Sequence, residues 1–162
     1  MNWSEYFYYD ASTGKLYWAV KRGKVNPGDE AGCLAKTCGY RMVRMAGKLR
    51  LVHRIIWEML HPTDTLSTGE EIDHIDHDKL NNRPENLRKV THIGNMKNQS
   101  KMRNNLSGVT GVFWDKSRGR WLASIQANGK NKYLGYFTDF DKAVAARKEA
   151  EVKYNFHSNH GE

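Results

Sequence analysis

The chain has 162 residues, 39% of them hydrophobic, with five tryptophans and a formal net charge of +8. That composition excludes a disordered polypeptide, and the length suits one ordinary domain or two small ones with modest cores, in keeping with a mean hydropathy of −0.78. No apolar run approaches the ~20 residues of a membrane span, and the N-terminus lacks the basic-then-apolar order of a signal peptide, so a soluble, cytoplasmic chain with no membrane association is expected.

Two aromatic runs come first: Trp3, Tyr6, Phe7, Tyr8 and Tyr9, then Leu16, Tyr17 and Trp18 beyond a turn at Asp10 to Gly14. They predict a β-hairpin whose rings pack a small sheet or, less simply, stack on bases. Lys21 to Gly32 is polar and turns at Pro27-Gly28. Cys33 and Cys38 form no CxxC and have no second pair, so a zinc ribbon is unavailable; both are read as buried or partly buried thiols. Tyr40 to Met45 and Lys48 to Val52 predict a second hairpin turning at Ala46-Gly47, with Arg41, Arg44, Lys48 and Arg50 serving either phosphate contact or the protection of a sheet edge. Apolar positions 52, 55, 56, 59 and 60 make the stripe of an amphipathic helix, which ends at His61-Pro62. His53 on that helix could face phosphate or bond within the fold.

From Glu71 to Asn98 the chain reads strand, polar loop, strand, helix. Asp73 and His74 close the first strand, Asn86 stands at the mouth of the second, and Asn95 lies on the helix, 22 residues after Asp73. The strings DHID, NNRPENL and VTHIGN resemble, in order and spacing, the phage and intron-homing branch of the HNH endonucleases, with their ββα-metal motif, over about a third of the chain. The resemblance implies that Asp73 and Asn95 hold a divalent metal, Mg²⁺ or Mn²⁺, that His74 is the general base, and that Asn86 ties the loop across the motif; all four count as catalytic. It also implies a host cell that is bacterial or phage-infected. His77 departs from the family's small turn residue and is read as an exposed loop histidine, while His92 could compete with Asn95 for the metal.

The chemistry asks for the same residue types. A carboxylate and an amide oxygen are hard donors suited to Mg²⁺ or Mn²⁺, and two protein ligands leave positions for phosphate oxygens and water. A neutral imidazole can take a proton from attacking water.

Residues 97 to 162 carry 12 Lys/Arg against 6 Asp/Glu, and residues 1 to 96 carry 14 against 12, so most of the excess charge sits in the C-terminal part. A basic stretch with interleaved aromatics points to nucleic acid, because neutralising phosphates releases counterions. Asn98 to Ser107 has no periodicity and reads as a cationic linker. Three strand-like runs follow, Gly111 to Trp114, Arg118 to Gln126 and Lys132 to Phe137, the last two joined by an Asn128-Gly129 turn, and then a helix capped by Thr138 with Asp141. This module resembles the AP2 DNA-binding domain over about fifty residues, which implies that the sheet face away from the helix enters the major groove. By period-two alternation Trp121, Ala123 and Ile125 face the helix, leaving Ser124, Gln126, Asn131 and Tyr133 on the other side.

The expected organisation is an α+β chain: a nuclease domain over 1–100 with N-terminal hairpins, a linker over 101–107, and an AP2-like sheet and helix over 108–158. Double-stranded DNA is the expected partner, through Arg83, Lys101, Arg103, Arg118, Ser124, Gln126, Asn131, Lys132 and Tyr133, with no obligate protein partner. The leading function is a metal-dependent DNA endonuclease of the homing type. Alternatives are a DNA-binding regulator with an inactive nuclease motif, and a zinc module using His74, His77 and Asp76, which would need a fourth ligand that the cysteines do not supply.

Overall fold

The computed structural model describes every residue except Ser100, Met102, Arg103 and Glu162, so the expected phosphate contact Arg103 lies outside the described residues. The architecture is mixed α/β. Strands β1 (Phe7–Asp10) and β2 (Lys15–Trp18) form a hairpin; β3 (Cys33–Leu34), β4 (Arg41–Met45) and β5 (Lys48–Leu51) form a three-stranded sheet; helix α1 (Val52–Leu60) follows. Strands β6 (Glu70–His74) and β7 (Leu87–Thr91) pair, and β7 leads into the short helix α2 (His92–Met96). Strands β8 (Val112–Asp115), β9 (Arg120–Ala127) and β10 (Lys130–Phe137) form a sheet in the order β10-β9-β8, followed by helix α3 (Phe140–Lys153). All the sheets are antiparallel. The chain divides into two compact units, Met1–His92 and Ile93–Glu162. None of the described helices is long and apolar enough to cross a membrane.

The first unit is built on α1. Val52, Ile55 and Ile56 are all but inaccessible and pack with Phe7, Leu16 and Trp18 of the hairpin and with Ile72 and Leu87 of β6 and β7. Each such side chain contributes about 1.5–3 kcal/mol by leaving water. The buried face is wider at its start and shorter at its end than the apolar stripe predicts: His53 and Trp57 are buried, whereas Leu60 in the last turn is exposed. Cys33 is exposed, because β3 is a two-residue edge strand that leaves its side chains uncovered, and Cys38 is half-buried in the turn that follows.

In the second unit Ala123 and Ala143 are fully buried, and these small residues let α3 close on the sheet beside Val112, Trp121, Phe137 and Phe140. The β9–β10 turn holds Asn128 and Gly129 at φ 54° and 72°, the left-handed pair that an Asn-Gly hairpin turn requires. A bulge between Tyr133 and Gly135 then shifts the phase of β10. Within α3, the buried Arg147 pairs with Glu151 at 2.9 Å and donates to the Ser124 carbonyl at 2.7 Å and to His160 Nε2 at 3.2 Å. The helix is capped by Asp139, which accepts from the Lys142 amide at 3.0 Å, and not by Thr138; an Asp one residue nearer the helix outcompetes the expected cap.

The cap makes a specific difference to stability. Asp139→Ala should destabilise the second unit by about 0.5–2 kcal/mol in urea unfolding, whereas Thr138→Ala should fall within about 0.5 kcal/mol of the parent.

Candidate active site

Strand β6 brings the two chemically distinctive residues to its end. Its register with β7 sets Asp73 opposite Arg88 and His74 opposite Leu87, so the carboxylate and the imidazole lie on opposite faces of the ribbon, both buried. Asp73 Oδ2 accepts from Arg88 Nε at 2.9 Å and Nη2 at 2.8 Å. The guanidinium thus holds the carboxylate through two of its nitrogens, which fixes the orientation of the group.

The His74 ring is 3% exposed and sits in an aromatic cluster, edge-on to His53 at 5.0 Å between centroids and 5.8 Å from Tyr40. Burial, reinforced by the nearby His74 and Arg54, pushes the His53 pKa down to about 3, so His53 is a neutral ring at any ordinary pH. Burial also raises the Tyr40 hydroxyl, with the Asp73 carboxylate adding to the shift. His53 therefore serves the fold from the inside, as packing for His74, and is not exposed to phosphate.

The polar loop from Asp76 to Asn86 is closed by one amide. Asn86 Nδ2 donates to Asp76 Oδ1 at 2.8 Å and to the Asn81 carbonyl at 2.7 Å, while its Oδ1 accepts from the Asp76 amide at 3.0 Å. Asp76 in turn takes the Asn81 amide group and the Asp78 backbone, and these bonds outweigh burial and hold its pKa below the usual carboxylate range. A carboxylate so fully engaged does not join a zinc site with His74 and His77, and no group of three or more His, Cys, Asp or Glu among the described residues is placed to hold a metal. His77 is half-buried at φ 67° with its Nε2 buried and unbonded, not an exposed loop residue. His92 contacts Glu71 at 3.0 Å.

One member of the cluster was not foreseen. Asn82, 4% exposed, presents Oδ1 to His74 Nε2 at 2.9 Å, and its backbone carbonyl accepts from the Tyr9 hydroxyl at 2.7 Å. Only its place in an Asn-Asn pair inside the loop could have drawn attention to it. Asn95 is half-buried in α2 and belongs to the second unit.

Residues 50–97 match the family model described as HNH endonuclease. That span contains Asp73, His74, Asn82, Asn86 and Asn95. Protein 3.8 of Escherichia phage T7 is 35% identical over 78 residues, which are 48% of this chain and 63% of that protein. A solved structure described as DNA binding and cleavage by the HNH homing endonuclease I-HmuI is 29% identical, with a TM-score of 0.40 over 58% of this chain and 51% of that one. The chain thus spans less than two thirds of either protein.

The remaining expected contacts divide. Gln126 and Asn131 are cross-strand partners and both exposed, and Tyr133 beside them is 72% exposed. Phe113 and Tyr136, not anticipated, rise on the same face, because both pair with Leu122 and the bulge moves Tyr136 where plain alternation would have put Gly135. Arg118 lies over the Tyr136 ring at 4.6 Å. Ser124 is buried and cannot reach a base. Lys132 pairs with Ile125 on the helix side, its ammonium over Tyr154 at 4.8 Å, and so is absent from that face. Arg83 bonds the Ser12 carbonyl at 3.1 Å, bracing the first hairpin, and Lys101 bonds the Gly108 carbonyl at 3.3 Å.

The buried His53 ties stability to pH. Its folded pKa lies below the unfolded value, so the unfolded chain binds the extra proton; the contribution is complete above about pH 6.5 and is lost as pH falls toward about 3. Unfolding free energy should decline over that window by up to about 1.4 kcal/mol per pH unit from this group, and His53→Gln should flatten the slope in urea titrations at pH 4 to 7.

Proposed function

We propose that the chain is a metal-dependent DNA endonuclease of the homing type, hydrolysing phosphodiester bonds in double-stranded DNA. The observation that carries the reading is the buried His74 imidazole beside Asp73 at the end of β6, with the loop behind it stitched by Asn86, inside the span that matches the HNH endonuclease family model.

In this reading His74 accepts a proton from water as the water oxygen attacks phosphorus and one P–O bond to the departing sugar oxygen breaks. Asp73 would provide one oxygen donor for Mg²⁺ or Mn²⁺ and Asn95 the other, the pair that the resemblance to the HNH endonucleases implies. The metal, when bound, supplies positive charge that stabilises the charge developing on the phosphate and on the leaving oxygen. Arg88 orients the Asp73 carboxylate. Asn86 keeps the loop from Asp76 onward in one conformation, so that His74 is held in place before substrate arrives.

Duplex DNA binding is assigned to the second unit, through an AP2-like use of its sheet. Gln126 and Asn131 are adjacent amides on an exposed face, and such side chains pair with adenine edges in the major groove. Arg118 contributes charge there, and Tyr133 contributes area.

Supercoiled plasmid should be relaxed in Mg²⁺ or Mn²⁺ and left intact after EDTA, and His74→Ala should slow cutting by ~10²- to 10⁴-fold with little change in DNA affinity. A chain that binds DNA and never cuts it would instead be a regulator. Gln126→Ala and Asn131→Ala should each relax base preference by roughly 1–3 kcal/mol, measured by selection from random duplexes; unchanged preference would move recognition elsewhere.

A further inference from the structure

We propose that Asn82 is a positioning residue for catalysis, fixing the His74 imidazole in the tautomer that carries its proton on Nε2 and its lone pair on Nδ1, and that the N-terminal hairpin exists in part to hold Asn82 in place. The inference rests on the endonuclease reading and adds to it the nitrogen that accepts the proton.

A ring nitrogen facing an amide group can donate to its oxygen or accept from its nitrogen, and the two cases demand opposite tautomers. Here the amide has its own constraint. Asn82 Nδ2 points at the Leu80 carbonyl, 3.4 Å away, and a carbonyl only accepts. The oxygen is therefore the atom turned to His74 Nε2, at 2.9 Å, and the ring must donate. With both residues buried, water does not substitute readily for either partner, so the bond selects one tautomer and one ring orientation.

Asn82 is itself held by the first hairpin. The Tyr9 hydroxyl donates to its carbonyl at 2.7 Å, and Arg83 Nε donates to the Ser12 carbonyl at 3.1 Å. Gly14, at φ +72°, lies so close that a Cβ there would stand 3.0 Å from the Arg83 nitrogen and 3.1 Å from the Asn82 carbonyl carbon. Only glycine permits that approach without displacing backbone. The aromatic hairpin, which sequence pattern explains as packing, thus also reaches the loop at the residue that touches the imidazole.

The test combines a spectroscopic readout with kinetics on the full chain. Long-range ¹H–¹⁵N spectra of the metal-free protein, with His74 assigned through His74→Gln, should show the neutral ring protonated on Nε2. Asn82→Asp keeps an acceptor in the same place and should preserve that signature. Asn82→Leu removes it and should give a mixed or Nδ1-protonated ring, with kcat on plasmid lower by ~10- to 100-fold and Kd for duplex DNA unchanged. An Nδ1 proton in the parent protein, or an Asn82→Leu variant that cuts at the parent rate, overturns the proposal. Should Asn82→Leu fail to fold, the parent spectrum and the Asp variant still decide. A parent that never cuts DNA overturns the endonuclease reading and the positioning role together, whereas a cutting parent with the wrong tautomer overturns this inference alone.

Discussion

The first unit depends on a constraint of solvation: an eleven-residue polar loop, Asp76 to Asn86, has to present buried donors and acceptors to a strand end without leaving them unsatisfied. A single amide does most of this. Asn86 is simultaneously donor to Asp76 and to the Asn81 carbonyl and acceptor from the Asp76 amide, a combination open only to Asn or Gln among side chains, and Gln is one carbon longer. Because the loop is closed at Asn86, Asn81 and Asn82 come back over the end of β6, and the imidazole of His74 finds an acceptor in an otherwise ring-lined interior.

The same interior explains why the neighbouring histidine is not a second base. His53 and His74 share one aromatic cluster, but the pKa of His53 is driven down by burial first and by His74 and Arg54 second. A neutral His53 places no positive charge beside the catalytic candidate. Tyr40, tilted against both rings and with its hydroxyl pKa raised by burial, closes the cluster on that side.

Sequence pattern reached the elements whose periodicity is strong. The stripe of α1, both N-terminal hairpins, the β6–loop–β7 order and the three strands before α3 were all legible, since each follows from side chains alternating or recurring on one face. What stayed hidden was set by contacts between distant residues. Asn82 has no pattern of its own; its importance comes from Tyr9, 73 positions earlier, and His74, eight positions earlier. The β10 bulge breaks strict alternation, so Tyr136 came up on a face where counting by twos placed Gly135. Ser124 fails as a contact for a related reason: position in a strand predicts which face a side chain takes but not what covers it. Arg83 shows the same limit, for nothing in the local pattern announces its bond to the Ser12 carbonyl, 71 positions away.

Arg83 and Lys132 also bear on how positive charge should be counted. Both are cations in a basic chain, yet one is engaged with a hairpin carbonyl and the other sits over a tyrosine ring on the helix side of its sheet. Arg147 is buried outright against Glu151 and contributes nothing to an external field beyond its pair. Arg83 and Lys132 keep their charge and add to the field that draws a polyanion, so what placement decides is which cations can meet a phosphate directly. Arg118 is instructive here, because its guanidinium lies over Tyr136 beside the exposed Gln126, Asn131 and Tyr133 face. A cation held on an aromatic ring keeps its charge while losing much of its freedom, so its engagement with a phosphate costs less ordering than that of a lysine extended into water.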